Sequence, residues 1–584
     1  MDVVSNLLSL LGGLSLFLFG MNIMGEGLEK RAGNRLKGIL ARLTSNRVRA
    51  LLLGVGVTAL IQSSSAVTVM AVGFVNSGLM NLSQVIGIIM GANIGTTVTA
   101  WLTGLTQLEA EGAVLQLFKP STFTPILAAV GVSFYLFSKR ESRRTTGTIL
   151  LGFSVLIFGM DAMSAAAKPL AANPSFGEVL LWFQNPLLGV LAGAVVTAIL
   201  QSSSASIGIL QALSGAGQLT VGAAVPIVMG QNIGTCVTTL LSAVGTTRNA
   251  KRTALLHLYF NLIGTAGLLA AFWLVRPFLF ASVMEEPISA FGIALVHTLF
   301  NVLCTAILFP FSSLLERLAV RTVAGESAER EKPSVLDERL LTAPALAVAR
   351  SRAVAEEMAV LSVENVREAF GLLRDFSPSR MERLEEGERR VDGMEDEIGS
   401  YLISLGSRTV AEQDSLEITA LLHWIGDFER ISDHALNVAE AAGELAAKGS
   451  GLSEEATKDL GVILAALEEI LTLSLRAFCE EDQDAACRVE PLEQVIDGLE
   501  KEIRAAGIER LRNNRCNIDA SFLFSDLLGD LERIGDHCSN VASVCLGLCA
   551  GDLREHEFLQ HRRISADSDF ERFYTDYRVK YSRL

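Results

Sequence analysis

The chain has 584 residues, half of them hydrophobic and 19% charged, with a formal net charge of −15. That length exceeds one ordinary domain, and the acidic excess argues against nucleic-acid binding. The averages hide a break near Arg321: before it the chain is apolar, with several runs near the roughly 20 residues that span a bilayer, and beyond it the chain is charged and holds most of the acidic excess.

Residues 3 to 24 form the first apolar run, and with no basic segment ahead of it this reads as a retained span. A basic amphipathic stretch follows (Lys30, Arg31, Arg35, Lys37, Arg42, Arg47, Arg49). The positive-inside rule places it in the cytoplasm and the N-terminus outside. Residues 50 to 108 then contain no Asp, Glu, Lys or Arg, yet carry the polar block Gln62-Ser63-Ser64-Ser65. A further apolar span, 83 to 105, carries Gly91, Asn93, Ile94, Gly95 and Thr96. The acidic loop with Glu109 and Glu111 is expected outside, and residues 113 to 137 return to the basic cluster Lys139, Arg140, Arg143 and Arg144. From cytoplasmic Arg49 to external Glu109 the chain must cross an odd number of times, although two apolar segments lie between. The simplest resolution is that residues 50 to 78 enter as a helix, break at the polar block and leave on the same side. Broken backbone is tolerated at membrane depth only where protein or a watery cavity satisfies it.

The same letters return further along at one fixed offset: Gln201-Ser202-Ser203-Ser204, then Gly230, Asn232, Ile233, Gly234 and Thr235, with Phe19-Gly20-Met21 answered by Phe158-Gly159-Met160. Three matched blocks in one register mark a duplicated unit. The crossing count makes the two copies inverted: residues 147 to 167 run outward, 186 to 215 make a second hairpin, and 220 to 245 run inward to Arg248, Lys251 and Arg252. Two more spans, 253 to 275 and 289 to 312, end at Arg317 and Arg321. Paired polar blocks at membrane depth in inverted copies are the pattern of a transport site. Ser and Thr hydroxyls with Gln and Asn oxygens suit Na+, while helix-start N–H groups and hydroxyls suit an oxyanion. Asp161, the acidic residue within the fourth span, is a further candidate, with Asn22 as its counterpart. His257 and His297 share a His-x-x-Phe-Asn pattern with Asn261 and Asn301, and are expected to tie helices together.

Residues 322 to 336 read as a polar linker. Beyond it Asp427-Phe-Glu429-Arg-Ile-Ser-Asp433-His434 is matched by Asp530-Leu-Glu532-Arg-Ile-Gly-Asp536-His537, and Glu388, Asp392 and Glu397 by Glu493, Asp497 and Glu502. Apolar helical spacing and few Gly or Pro predict two tandem three-helix bundles. Glu429 and Asp433, four apart, share one helix face, as do Glu532 and Asp536. Such clustered carboxylates, with Asp427 and Asp530 a turn or less away, need a cation or arginine beside them. The eight cysteines show no CxxC spacing and read as reduced thiols. The last 30 or so residues show no clear period.

The paired Gln-Ser-Ser-Ser blocks, each followed by Gly-x-Asn-Ile-Gly-Thr, resemble the type II sodium-dependent phosphate cotransporters over residues 1 to about 315. The resemblance implies an all-α polytopic membrane protein of two inverted repeats with re-entrant hairpins, and sodium-coupled uptake of inorganic phosphate. It implies that Gln62, Ser63, Ser64, Ser65, Gln201, Ser202, Ser203 and Ser204 line the phosphate and sodium sites, with Asn93, Thr96, Asn232 and Thr235 as second choices. The repeated Asp-x-Glu-Arg-Ile-x-Asp-His element resembles PhoU, a phosphate-signalling protein of two three-helix bundles, over about residues 340 to 550. In that family acidic faces hold metal clusters, so the resemblance implies a divalent or iron cluster at Asp427, Glu429, Asp433, Asp530, Glu532 and Asp536. It also implies a cytoplasmic domain, 337 to 552, that regulates transport. The expected domains are repeat 1 (1 to 138), repeat 2 with an extra span (139 to 321), the linker, the PhoU-like domain and a tail (553 to 584) in the plasma membrane. Expected partners are phosphate, sodium and lipid, with a homodimer or a phosphate-signalling partner in view. The alternatives are a membrane-anchored phosphate sensor or a cotransporter of another cation or oxyanion. Without a base beside the serines or a P-loop, an enzyme is not expected.

Overall fold

A computed structural model of the chain describes residues 2–40, 46–104, 120–171, 182–183, 185–217, 219–279, 283–325, 336–408, 412–448, 452–513, 517–550 and 568–582. The expected external Glu109 and Glu111, most of the linker, Cys516 and much of the tail lie outside these residues. So do the side chains of Arg35, Lys37 and Arg42. The regular elements among the described residues are all helical, with one isolated bridge between Thr220 and Pro287. The chain divides into two units, Met1–Leu346 and Ala347–Leu584.

The first unit holds α1 (Asp2–Leu40), α2 (Arg47–Ile61), α3 (Ser64–Asn76), α4 (Leu82–Gly104), α5 (Pro120–Phe137), α6 (Glu141–Ala171), α7 (Pro186–Leu200), α8 (Ser203–Ser214), α9 (Val221–Ser242), α10 (Arg248–Leu279), α11 (Ala290–Leu308) and α12 (Ser312–Thr322). A 3-10 turn, Glu338–Thr342, closes it. Among the described residues six helices are long and apolar enough to cross a membrane: α1, α4, α6, α9, α10, and α11 continued through α12. The 15-residue α2 and 13-residue α3 are each too short for that. Their polar junction is where the helix breaks.

The direction of the break follows from glycine contacts. Gly87 faces the Arg47 carbonyl, Gly91 that of Leu51 and Gly95 that of Val55, so α2 and α4 run parallel in constant register. Parallel neighbours start at the same end of the unit, so α3 must carry the chain back to the end where α2 entered. The second copy repeats this: Gly230 faces Val190 and Gly234 faces Ala194, so α7 and α9 are parallel as well. A Cβ on Gly91 or Gly230 would collide with the facing carbonyl oxygen, so only glycine permits this backbone approach. Helices α1 and α6 pack antiparallel, with Gly13 against Met163, Gly20 against Leu156 and Gly27 against Ile149.

The second unit holds most of α13 (Pro344–Arg374), then α14 (Pro378–Gly406) and α15 (Glu412–Lys448), followed by α16 (Glu454–Cys479), α17 (Gln483–Arg512) and α18 (Ile518–Ala550). These are the two expected sets of three helices, joined along α15 and α18. Within the tail, α19 (Ser568–Lys580) is helical and packs on α17, with Tyr577 and Tyr581 buried. The seven described cysteines are free thiols.

Candidate functional site

Each Gln-Ser junction is built from two backbone choices. Gln62 and Gln201 end their helices in the left-handed region, at φ 60° and 54°, which side chains other than glycine seldom adopt. Ser63 and Ser202 then extend and cap the next helix, each hydroxyl accepting the N–H three residues on, Ala66 or Ala205, at 3.2 Å. The amides at the start of α3 and α8 are therefore left pointing out of a helix N-terminus that sits beside Ser64 and Ser65, or Ser203 and Ser204. Ser64, Ser203 and Ser204 are buried.

The supporting helices present matched polar sets. Asn93 and Asn232 donate their amide N–H to the carbonyl four residues back, at 3.2 and 3.0 Å, and the Thr96 and Thr235 hydroxyls do the same at 2.9 and 3.0 Å. All four are buried. Spending the donors on the helix leaves the amide and hydroxyl oxygens as the groups available to a cation. The two junctions differ in one respect. Gln62 is locked: its Nε2 donates to the Ala59 carbonyl and its Oε1 accepts from Thr99 Oγ1 at 2.9 Å. Thr238, the residue equivalent to Thr99, instead donates to Thr235 O at 2.7 Å, and Gln201 is exposed.

The halves are also cross-bonded. Thr68 on α3 meets Thr239 on α9 at 2.9 Å, and Thr239 meets His257 Nδ1 at 3.0 Å. In the other direction Gln211 on α8 donates to Ala100 O at 2.9 Å and accepts from Thr103 at 2.6 Å. These residues carry no sequence signal, because a lone Thr or Gln in an apolar helix looks like any other. His257 ties helices together as expected. His297 makes no such bond among the described residues. Asp161 stands exposed on α6, as does Asn22 on α1. At the far end of α3, buried Asn76 donates to Asp337 Oδ2 at 2.6 Å and accepts from Thr247 N–H at 2.9 Å. Asp337 in turn pairs with Arg339, which donates to the Ser242 carbonyl at the end of α9. The stretch just ahead of α13 is thus clasped onto both.

In the second unit the repeated motif divides its labour. Asp427 accepts from His537 at 2.9 Å and from Asn540 at 3.2 Å, and Asp530 meets His434 at 3.0 Å and Asn437 at 3.3 Å. The two imidazoles stack 5.8 Å apart between them. Asp427 and Asp530 therefore join the bundles. Glu429 and Asp433 instead lie with Glu388 and Glu395, and Glu532 and Asp536 with Glu493. Burial, then the neighbouring carboxylates, push Glu388, Glu395, Glu429, Glu532 and Glu493 above the usual carboxylate range. Burial likewise raises Asp536, which hydrogen-bonds to Glu493. Among the described residues no three His, Cys, Asp or Glu side chains are gathered closely enough to hold a metal ion. Oxygen-rich faces whose carboxylates repel one another do have the donor chemistry of a hard cation.

Comparison with known proteins agrees with this division. The Na+/Pi-cotransporter family matches residues 16–165 and 168–300, and the PhoU domain matches 355–442 and 463–545. The chain is 27% identical over 546 residues to the "Putative inorganic phosphate export protein YjbB" of Salmonella typhimurium, covering 92% of this chain and 96% of that one. It is 33% identical to the uncharacterized protein YqeW of Bacillus subtilis, over 52% of this chain and 93% of that protein. Over a 101-residue stretch, 17% of this chain and 16% of the relative, it is 40% identical to the sodium-dependent phosphate transport protein 2A of Rattus norvegicus. With two serine-capped helix breaks, six described helices able to cross a membrane and a paired helical unit behind them, the chain belongs to the Na+/Pi-cotransporter family, in the form that carries a C-terminal PhoU domain.

Proposed function

We propose that this protein moves inorganic phosphate across the plasma membrane in company with sodium, at a site formed by the two Gln-Ser junctions. The observation that carries this reading is that both copies build the same broken, serine-capped helix. Amides and hydroxyls at Ser63, Ser64, Ser65, Ser202, Ser203 and Ser204 hold the anion. Oxygens of Gln62, Gln201, Asn93, Thr96, Asn232 and Thr235 face sodium. Each ion offsets the desolvation of the other, which couples their movement. Asp161, exposed on α6, stays outside this set.

The two copies are inverted. Support comes from α1 and α6: when each residue is replaced by its counterpart in the other copy, the contact of Gly20 with Leu156 becomes that of Gly159 with Phe17, which is also present. Two antiparallel helices related in this way have a two-fold axis across them. The hairpins are re-entrant, the N-terminus is outside and the PhoU unit is cytoplasmic. That unit regulates flux through the Asp337 clasp on α3, and its faces at Glu429 and Asp433, and at Glu532 and Asp536, take hard divalent cations.

An inward sodium gradient drives uptake. Outward movement is the second reading, favoured by the similarity along nearly the whole chain to the Salmonella phosphate export protein. Radiolabelled phosphate flux in proteoliposomes, with phosphate loaded on either side and sodium or potassium gradients, tests both. Ser64→Ala with Ser203→Ala abolishes sodium-dependent flux. Flux unaffected by sodium or by these substitutions refutes the reading.

A further inference from the structure

The His-x-x-Phe-Asn pattern is longer than it first looks. His257, Phe260, Asn261 and Thr265 on α10 are answered by His297, Phe300, Asn301 and Thr305 on α11, in the same order and spacing. His, Asn and Thr stand at positions i, i+4 and i+8, so each set lies on one helix face. All six are buried, none more than 6% exposed. Helix α10 packs on α9 and α11 packs on α4, its equivalent in the other copy.

The two stripes are not equally satisfied. On α10 the His257 ring meets Thr239, Asn261 donates to the His257 carbonyl at 3.0 Å and to Cys236 Sγ at 3.4 Å, and Thr265 reaches the Met229 carbonyl at 3.4 Å, which leaves His257 Nε2 and Asn261 Oδ1 without a partner among the described residues. On α11 the Asn301 amide N–H is likewise spent on the His297 carbonyl, at 2.9 Å. Beyond that bond, both ring nitrogens of His297, Asn301 Oδ1 and Thr305 Oγ1 have no hydrogen-bond partner among the described residues. The cause is local: α4 places Ala100 where α9 has Thr239, so no hydroxyl faces the ring. Each unpartnered buried polar atom costs about 1–3 kcal/mol, and four of them along two turns of one helix mark a place built for something else. An amide oxygen, a hydroxyl oxygen and an imidazole lone pair are all acceptors. With no carboxylate in the set, they suit a single rather than a double positive charge.

We infer that the open oxygens of Asn301 and Thr305, one turn apart, form a site for a monovalent cation, sodium, separate from the Gln-Ser junctions, with His297 a further turn back on the same face. This rests on the sodium coupling proposed above and assigns one of the coupling ions to α11. His257, Asn261 and Thr265, bridged by Thr239, form the better-satisfied counterpart, with two open atoms against four.

The test reads sodium apart from phosphate. Thermal unfolding of the full-length protein in detergent is followed in sodium chloride and in choline chloride, for wild type, Asn301→Leu and Thr305→Val. Sodium raises the wild-type Tm. Both variants shrink that rise, leaving only the part due to the junctions, while matching or exceeding wild type in choline, because each removes an unpartnered acceptor. In flux measurements they need about tenfold more sodium for half-maximal rate. If either variant keeps the full sodium-dependent rise, the site is overturned, and buried water is what satisfies the stripe. Ser64→Ala with Ser203→Ala separates the two readings, since it abolishes flux yet leaves the α11 part of the sodium-dependent Tm rise in place. If the rise vanishes with those serines as well, the ion sits at the junctions and the α11 assignment fails.

Discussion

Replacing Thr99 with valine asks whether the difference between the two junctions matters. Valine keeps the shape and the branched Cβ of threonine and removes only the hydroxyl that donates to Gln62 Oε1 at 2.9 Å. Gln62 is buried, 7% exposed, so its acceptor gains no water in exchange. Losing a hydrogen bond of this kind costs about 1–2 kcal/mol, a factor of roughly 5–30 in the population of the locked side chain. If that orientation is what the transported ions meet, half-saturating sodium or phosphate rises by the same factor while the protein still folds. Thr238→Val is the matched control, because Thr238 donates to Thr235 O and leaves Gln201 alone. Initial rates in proteoliposomes over a range of both ions read the effect. Equal effects from the two substitutions, or none from Thr99→Val, would refute the idea that Gln62 is held for binding.

Four further outcomes follow from the geometry. Gly91→Ala and Gly230→Ala drive a methyl group into a facing carbonyl and cost about 1–3 kcal/mol or more by overpacking, with loss of flux, whereas Gly56→Ala, which meets nothing within 4 Å, leaves flux intact. His537→Ala leaves Asp427 without its principal partner and lowers unfolding stability by about 1–3 kcal/mol, read by calorimetry as a fall in the transition of the PhoU unit. The raised carboxylates at Glu493 and Asp536 bind protons more tightly folded than unfolded, so their contribution is full at low pH and drains away as pH rises past the ordinary carboxylate range. Glu493→Gln flattens that decline, and Mg2+ or Mn2+ restores Tm above neutral pH in wild type only. Asp337→Ala breaks the clasp on Asn76 and Arg339, and phosphate flux in the full-length protein then no longer follows the state of the PhoU unit, measured as the response to added divalent cation.

Much of this is readable in the letters. One repeated offset locates both junctions, and the charges on either side of residues 50 to 78 ask for a hairpin, which agrees with α2 and α4 running parallel. The two bundles follow from helical spacing in the same way. The letters are silent where identical residues part company. Gln62 and Gln201 are the same residue in the same five-letter block, and what separates them is whether a threonine 37 positions on turns toward the glutamine or along its own helix. Asp427 reads as part of the acidic cluster with Glu429, although two residues apart on a helix they point to nearly opposite sides. Only the partner bundle, bringing His537 from 110 residues away, decides that Asp427 belongs to a joint. Side-chain choices of this kind depend on tertiary neighbours, which spacing along the chain does not contain.

The unequal seating of each hairpin's two arms has a mechanical consequence. The first arm, α2 or α7, is fused by glycine contacts to a helix of its own copy. The second, α3 or α8, reaches across to bond with the other copy through Thr68 and Thr239, or through Gln211 and Ala100. The left-handed glutamine and extended serine between them are thus the pin of a hinge whose two leaves are fastened to different halves. When the halves shift against one another the pin must turn, and on the reading proposed above the serines and glutamines that hold the ions open or tighten with it. If those residues are the site, grip and movement are one event rather than two linked ones.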